Sequence, residues 1–371
     1  MNRPIFLFCA VFMVMALSNA IVPVLPHLSD ELSFQTLIFS AYFFGAMIMT
    51  LPAGIASDRF GQPVFIRISL VLTLISGIFI ITLTHPFTLL LWRFIEGIGA
   101  GIFISSALSW IGYQTDTLKN TGMFMASLNL GLLSGLIGAG WLAQFTGEIL
   151  LGVFICTILT GIISGFGFVL KIPRLGRQKT IRSDELITET WSQILRQYPL
   201  WISVIILLGS TGYVQAVFPE LSGYPVHEVS TVLAAMNFAT IITSLITPYL
   251  KIEPVLLIRI SALMIVPFIF SFLNAPVIVL GMGAVAGLIM VSQIGYLALA
   301  EERQGIAMGL YSTCSYAGMT LLPALGGYII SFSSFQTASA VIALGAIGTA
   351  VIIGKCSCKG FIIHEKTTSD T

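Results

Sequence analysis

Charged residues are scarce in this chain of 371 residues. They make up only 9% of it, whereas a soluble domain typically carries about a quarter. Hydrophobic residues account for 56%, and the mean hydropathy is +0.98. This composition excludes an ordinary soluble protein and indicates an integral membrane protein. The net charge of +1 offers no basic face, so a nucleic-acid partner is not expected.

Motifs for metal binding, nucleophilic catalysis and phosphate binding are also missing. No phosphate-binding loop occurs, so ATP is not expected to drive the protein, and no cofactor or metal is expected. The histidines lie far apart in loops or in the tail, at His27, His85, His227 and His364. Three of the five cysteines lie in apolar segments, and Cys356 and Cys358 share the tail, so no disulfide framework is indicated.

Long apolar stretches recur along the whole chain, and a spanning helix needs about 20 such residues. Twelve stretches qualify, at about 5–26, 33–54, 64–84, 87–112, 121–143, 149–170, 199–219, 228–250, 253–273, 275–299, 305–330 and 335–354. The first also resembles a signal peptide, but removing it would leave an odd number of spans. We therefore expect an all-α membrane protein with twelve transmembrane helices.

Basic residues occupy alternate gaps between these stretches or lie within a turn of them. They are Arg59 and Arg67, Lys119, six bases within 171–196, Lys251 and Arg259, and Arg303. Both termini are basic as well, whereas the opposite gaps hold acids and no base. The positive-inside rule places both termini and the central loop in the cytoplasm of a multi-pass plasma-membrane protein.

The chain also divides into two matching halves. We expect six-helix bundles at 1–170 and 199–354, a linker at 171–198 and a tail at 355–371. Glycines of the fifth and eleventh stretches share one spacing at a constant offset of 187, and Phe65–Ser69 matches Leu257–Ser261. The repeated small or helix-bending positions, read as helix-packing residues, are Gly131, Gly135, Gly140, Gly318, Pro323, Gly326 and Gly327. Parallel six-helix halves with a site between them are typical of transporters.

The central linker contains a segment with helix signals. Ser183 can cap a helix whose first turn holds Asp184 and Glu185. Apolar residues including Trp191 and Leu195 then share one face, which predicts an interfacial helix on the cytoplasmic surface. A solvated linker is the alternative.

Three motifs resemble those of the major facilitator superfamily. The loop after the second stretch reads Gly54-Ile-Ala-Ser-Asp58-Arg59-Phe-Gly61 and resembles the family's Gly-x-x-x-Asp-Arg-x-Gly signature. Arg93-Phe-Ile-Glu96-Gly97 resembles its fourth-helix motif, and the glycine series of the fifth stretch resembles its antiporter motif. The resemblance implies a two-bundle fold that alternates access to a central cavity. It also implies that Asp58 caps a helix of the opposite half, as a conformational latch.

The sequence departs from the family pattern at two positions. Gln62-Pro63 stand where the loop signature usually ends in basic residues. Leu136 stands where the antiporter motif usually has proline, which weakens the inference of export.

Arg93 and Glu96 are charged residues well inside a predicted span, three residues apart on one helical face. Charges in a membrane are costly and indicate function by default. Glu96 is the candidate proton carrier, and Arg93 would tune it or meet an anion. A structural ion pair that only orders the helix is the alternative.

Polar residues concentrate on the helices that the family resemblance places around the cavity. The candidate substrate contacts are Asn19, Trp110, Tyr213, Gln215, Gln293 and Tyr296. The leading hypothesis is a monomeric, proton-coupled exporter that moves small amphiphilic molecules across the lipid bilayer. An uncoupled facilitator, or an importer of a neutral or anionic metabolite held by Arg93, is the alternative. A membrane enzyme is a third hypothesis that no motif supports.

Overall fold

The computed structural model describes residues 3–83, 85–114, 117–170, 173, 183–300 and 304–353. Lys171, residues 174–182 of the predicted linker, Arg303 and the predicted tail with its two cysteines lie outside the described residues. Every regular element within the described part is helical. The helices are α1 Arg3–Ala20, α2 Leu32–Phe60, α3 Gln62–Thr82, α4 Pro86–Gly112, α5 Thr117–Thr146, α6 Leu151–Val169, α7 Ser183–Arg196, α8 Tyr198–Leu221, α9 Val226–Ile246, α10 Pro254–Ser271, α11 Pro276–Ala300, α12 Gln304–Phe332 and α13 Phe335–Ile352.

Eleven of these helices are long and apolar enough to cross a membrane. The helix in the place of the predicted stretch 305–330 is α12, which has 29 residues and is not among those eleven. The 14-residue α7 is too short to span and lies within the predicted linker. The architecture confirms the predicted all-α membrane fold. The domain boundaries stay a prediction.

The predicted loop between the second and third stretches is shorter than expected. Helix α2 runs on through Asp58 and Arg59 to Phe60, and only Gly61 separates it from α3. Nothing in Gly54–Phe60 breaks a helix, whereas Gly61 has a φ of 108°, which side chains rarely tolerate. Its amide also donates to the carbonyl of Ser57 at 2.8 Å, which closes the last turn. The signature motif is therefore mostly a helix end.

Helix packing repeats between the two halves. In the first half α1 packs on α5, α2 on α4, and α3 on α4 and α6. In the second half α8 packs on α12, α9 on α11, and α10 on α11 and α13, which is the same set of pairs. The halves meet where α2 packs on α12 and α5 packs on α9. Two six-helix bundles with approximate two-fold symmetry follow from this pattern.

Two arginines show the same symmetry at the level of single side chains. Arg67 on α3 donates from Nε to the carbonyl of Gly167 at 3.0 Å and from Nη2 to that of Leu170 at 3.2 Å, at the end of α6. Arg259 on α10 donates from Nε to the carbonyl of Ala350 at 3.1 Å, near the end of α13. A cation is favourable at a helix C-terminus. The matched segments found in the sequence thus contain the same helix-end contact.

Glycines of the repeated series lie where helix backbones touch. A Cβ on Gly131 or Gly135 would overlap the backbone of α1, at Phe12 and Ala16. A Cβ on Gly318 would overlap the backbone of Ile205 in α8. Such contacts replace the hydrophobic driving force that a bilayer does not supply.

Candidate functional site

The face of α4 that packs on α2 carries a small-residue stripe. A Cβ on Gly97 would overlap the carbonyl of Tyr42, and one on Gly101 would lie 2.8 Å from the carbonyl of Ala46. Further along the same face, Ser109 donates a hydrogen bond to the Asp58 carboxylate. The two backbones therefore approach closely along much of their length, and this approach positions the charged residues beside Gly97.

A buried ion pair lies on α4 immediately before Gly97. Arg93 Nη1 donates to Glu96 Oε2 at 2.6 Å, and both residues are about 1% exposed. Arg93 and Glu96 are three residues apart, which places both side chains on one face of α4, so the pair forms within a single helix turn. Removing one partner from such a pair leaves an uncompensated buried charge, which costs about 3–5 kcal/mol.

The pair is incompletely satisfied. Glu96 Oε1 and Arg93 Nε are buried and have no hydrogen-bond partner among the described residues. Buried polar atoms are paired in most proteins, and exceptions often mark function. The arrangement leaves one acceptor and one donor available to a proton, a water molecule or a polar ligand group.

Tyr42 completes this site, and the sequence analysis did not identify it. The Arg93 guanidinium carbon lies 4.7 Å from the centroid of the Tyr42 ring, within the range of a cation–π contact. The backbone of Tyr42 is the atom group pressed against Gly97, so the glycine brings the ring onto the cation. The signal in the sequence was the spacing of Tyr42 and Ala46, which matches the four-residue spacing of Gly97 and Gly101 on α4.

The predicted latch residue Asp58 bonds within its own half. Its described partner is Ser109 of α4, and Gln62 also reaches the Ser109 hydroxyl at 3.4 Å. Arg59 is exposed, with its guanidinium carbon 5.5 Å from the centroid of the Phe60 ring. A Cβ added at Gly54 would lie at an ordinary 3.6 Å from the Cβ of Ser105. The predicted cap on a helix of the opposite half stays a prediction.

Three predicted cavity residues join neighbouring helices. Asn19 on α1 donates to the carbonyl of Leu132 in α5 at 3.2 Å. Gln293 on α11 donates to the Ser203 hydroxyl in α8 at 3.1 Å. Tyr296, one turn later, donates to the Gln197 side chain at 2.9 Å, just before α8 begins. Each of these side chains uses a donor to hold its own half together.

The other three predicted cavity residues differ in their surroundings. Trp110 is buried in the core of the first half and donates to the carbonyl of Pro173 at 3.0 Å. Tyr213 is buried, and a Cβ on Gly326 would overlap its ring. Gln215 is half-buried and has no hydrogen bond among the described residues. A role of these six residues in a substrate cavity stays a prediction.

The two halves touch through a symmetric pair of glycine contacts on the side that the charge pattern predicts to be extracellular. Gly140 of α5 faces Ser230 of α9, and an added Cβ would overlap the Ser230 hydroxyl. Gly327 of α12 faces Thr36 of α2, and an added Cβ would overlap the Thr36 hydroxyl. Gly140 and Gly327 are equivalent positions of the repeat. We call these two contacts the outer glycine contacts.

Polar and aromatic contacts surround the outer glycine contacts. Gln35 of α2 donates to the Glu220 carboxylate of α8 at 2.8 Å. Trp141 of α5 donates to the Thr231 hydroxyl of α9 at 3.3 Å, and its ring centroid lies 5.4 Å from that of His227. The halves are thus closely packed at this end.

Comparison with protein families gives a match over most of the chain. The family model described as "Major Facilitator Superfamily" matches residues 7–300. Among curated proteins, the quinolone resistance protein NorA of Staphylococcus aureus (strain Mu50 / ATCC 700699) is 28% identical over 153 residues. That alignment covers 39% of this chain and 39% of the relative, so the match spans about two fifths of the relative's length.

Solved structures with a similar fold cover nearly the whole chain. The nucleoside transporter NupG superposes with a TM-score of 0.74 at 15% identity, over 96% of this chain and 100% of that chain. A D-xylose-proton symporter superposes with a TM-score of 0.72 at 15% identity, over 96% of this chain and 98% of that chain. At these identities the likeness shows the fold alone.

Proposed function

The chain belongs to the Major Facilitator Superfamily and is a multi-pass membrane transporter rather than an enzyme, and we propose that it is a proton-coupled exporter of small amphiphilic compounds. The observation that carries proton coupling is the buried Arg93–Glu96 pair. Glu96 lies within a span, is only about 1% exposed, and has one carboxylate oxygen without a hydrogen-bond partner among the described residues.

Protonation of Glu96 changes the charge of the pair. With Glu96 ionised the pair is neutral overall, and with Glu96 protonated it carries one positive charge beside the Tyr42 ring. A buried net charge is costly, so the protonated state favours a conformation in which water reaches Arg93. The unpartnered Oε1 of Glu96 can take up either a proton or a donor group of the substrate, so the two would compete for one site, which is the requirement for exchange transport.

The direction of transport is supported by two weaker observations. NorA, which matches part of this chain, is a quinolone resistance protein. The glycine series of α5 also resembles an antiporter motif, although Leu136 departs from it. From the charge pattern, we assign both termini to the cytoplasmic side of the plasma membrane.

Alternating access is proposed to work by rocking of the two halves. The outer glycine contacts close the predicted extracellular side in the described conformation. Asp58, which bonds to Ser109, would engage the opposite half when the cytoplasmic side closes. We propose that the transporter works as a monomer.

Proton coupling is tested with purified protein in proteoliposomes. A proton gradient is imposed, and a panel of quinolones, other amphiphiles, nucleosides and sugars is screened for gradient-driven movement. The Glu96→Gln variant keeps the size of the side chain but cannot titrate. We expect it to lose gradient-driven transport while retaining substrate exchange without a gradient.

The control is Glu148→Gln, the same substitution at an exposed acid between α5 and α6. It should transport like the parental protein. Parental transport by Glu96→Gln would leave Arg93–Glu96 as a structural pair. Gradient-independent transport by the parental protein would favour the facilitator instead.

A further inference from the structure

A shallow groove lies on the outer surface of the first half, separate from the ion pair. Its volume is about 340 Å³, and its lining residues are Val64, Arg67, Ile68, Val71, Leu72 and Phe168. Five of these six side chains are apolar, and Val64, Ile68 and Phe168 are about half exposed. The volume is at the lower end for small-molecule sites, so it would accept part of an acyl chain rather than a whole lipid.

Arg67 provides the one charge in the groove. Two of its N–H groups cap the end of α6, as described above. A guanidinium has five N–H donors, so three remain, including both on Nη1. Arg67 is half-buried and has no acidic partner among the described residues. It lies about 7.5 Å into α3, at the end that the charge pattern predicts to be cytoplasmic.

We propose that this groove binds an anionic phospholipid of the cytoplasmic leaflet. The headgroup phosphate would accept hydrogen bonds from the free donors of Arg67, and one acyl chain would lie along Ile68, Val71 and Phe168. An arginine fork matches phosphate geometry, and a single basic residue near an anionic membrane surface favours such lipids. The site is independent of the proposed transport function.

The bound lipid would join α3 to α6 at the membrane surface. Arg67 already connects these helices through the carbonyls of Gly167 and Leu170. A phosphate on its outer face would hold the guanidinium in that orientation. Arg259 makes the matching contact in the second half and provides a natural comparison.

The test uses a tryptophan reporter, Phe168→Trp, in phosphatidylcholine–phosphatidylglycerol vesicles. Bromines are placed on the acyl chains of one lipid at a time, at equal mole fractions, and the quenching of the parental tryptophans is subtracted. We expect brominated phosphatidylglycerol to associate with the reporter about fivefold better than brominated phosphatidylcholine. Adding Arg67→Gln should lower the ratio to near one, whereas adding Arg259→Gln should leave it unchanged.

Two further measurements keep the result decisive if Arg67→Gln fails to fold. High salt should reduce the preference of the reporter protein itself, because the selection is electrostatic. Arg67→Lys should retain part of the preference, because the charge remains without the fork. Equal quenching by the two lipids would overturn the proposal, as would a preference that survives Arg67→Gln or high salt.

Discussion

The outer glycine contacts make a sharp prediction about conformational balance. In Gly140→Ala the new methyl would lie 2.5 Å from Ser230 Cβ and 2.9 Å from the carbonyl of Val226. In Gly327→Ala it would lie 2.8 Å from both Cβ and Cγ2 of Thr36. Both substitutions press on the partner half only when the two halves are together. They should therefore destabilise the conformation closed on this side relative to the one in which the halves separate.

The size of the effect follows from the cost of overpacking. Added methyl groups in well-packed sites cost about 1–3 kcal/mol. If the open conformation relieves that cost, the ratio of open to closed protein rises by about 5- to 150-fold. Each substitution should act separately, and the double variant should exceed either single one.

The assay measures a distance across the outer end of the α5–α9 contact. Spin labels are attached at Thr146 and Glu228, which are both exposed, in a variant without native cysteines. Double electron–electron resonance spectroscopy then gives the distribution of distances between the two labels. A longer component should grow in Gly140→Ala. Gly138→Ala is the matched control, because no atom lies within 4 Å of its added Cβ. Gly326→Ala would instead overlap Tyr213 in its own half, so it should lower stability without separating the labels.

A second-site variant strengthens the test. Ser230→Gly removes the side chain that the new methyl meets, so the Gly140→Ala, Ser230→Gly double variant should return toward the parental distribution. Parental distributions in both Gly140→Ala and Gly327→Ala would refute the reasoning that these contacts close the outer side.

Three other predictions concern packing, the latch and topology. Gly131→Leu and Gly318→Leu should each impair folding or transport, because the side chain would push apart α1 and α5 or α8 and α12; normal detergent stability and transport in both would contradict this. Asp58→Asn should slow transport more than it lowers expression, and a parental transport rate would reduce Asp58 to a helix-end residue. Reporter fusions at Lys366 and Asn274 should report opposite sides of the membrane, and a shared side would contradict the twelve-span topology.

Spacing in the sequence was enough to find close helix contacts but not their partners. The repeat of Gly131 and Gly318 at one offset indicated packing, and both lie against backbone atoms. Nothing in that spacing distinguishes the partner in the same half from one in the other. Gly140 and Gly327 belong to the same series, yet they touch the opposite half, because they lie on a different face and nearer the helix end.

Knowing which helix carries a residue did not reveal the direction in which its side chain points. Trp110 was assigned to the cavity because of the helix that carries it; the structure places it in the hydrophobic core of the first half, and its contact with substrate stays a prediction. Tyr42 was overlooked because its role depends on Gly97, which is 55 positions away in the chain and adjacent only in the fold. Arg93 and Glu96 were found directly, because charge within an apolar stretch needs no tertiary information to be conspicuous.

The packing of α12 has a consequence for how the chain is assembled in the membrane. Helix α12 packs on α2 and α8, both of which are synthesised before it. Its place in the bundle can therefore form only after those helices have entered the bilayer. A bulky side chain at Gly209, which lies against the backbone of Gly318 in α12, should act on this late step of assembly.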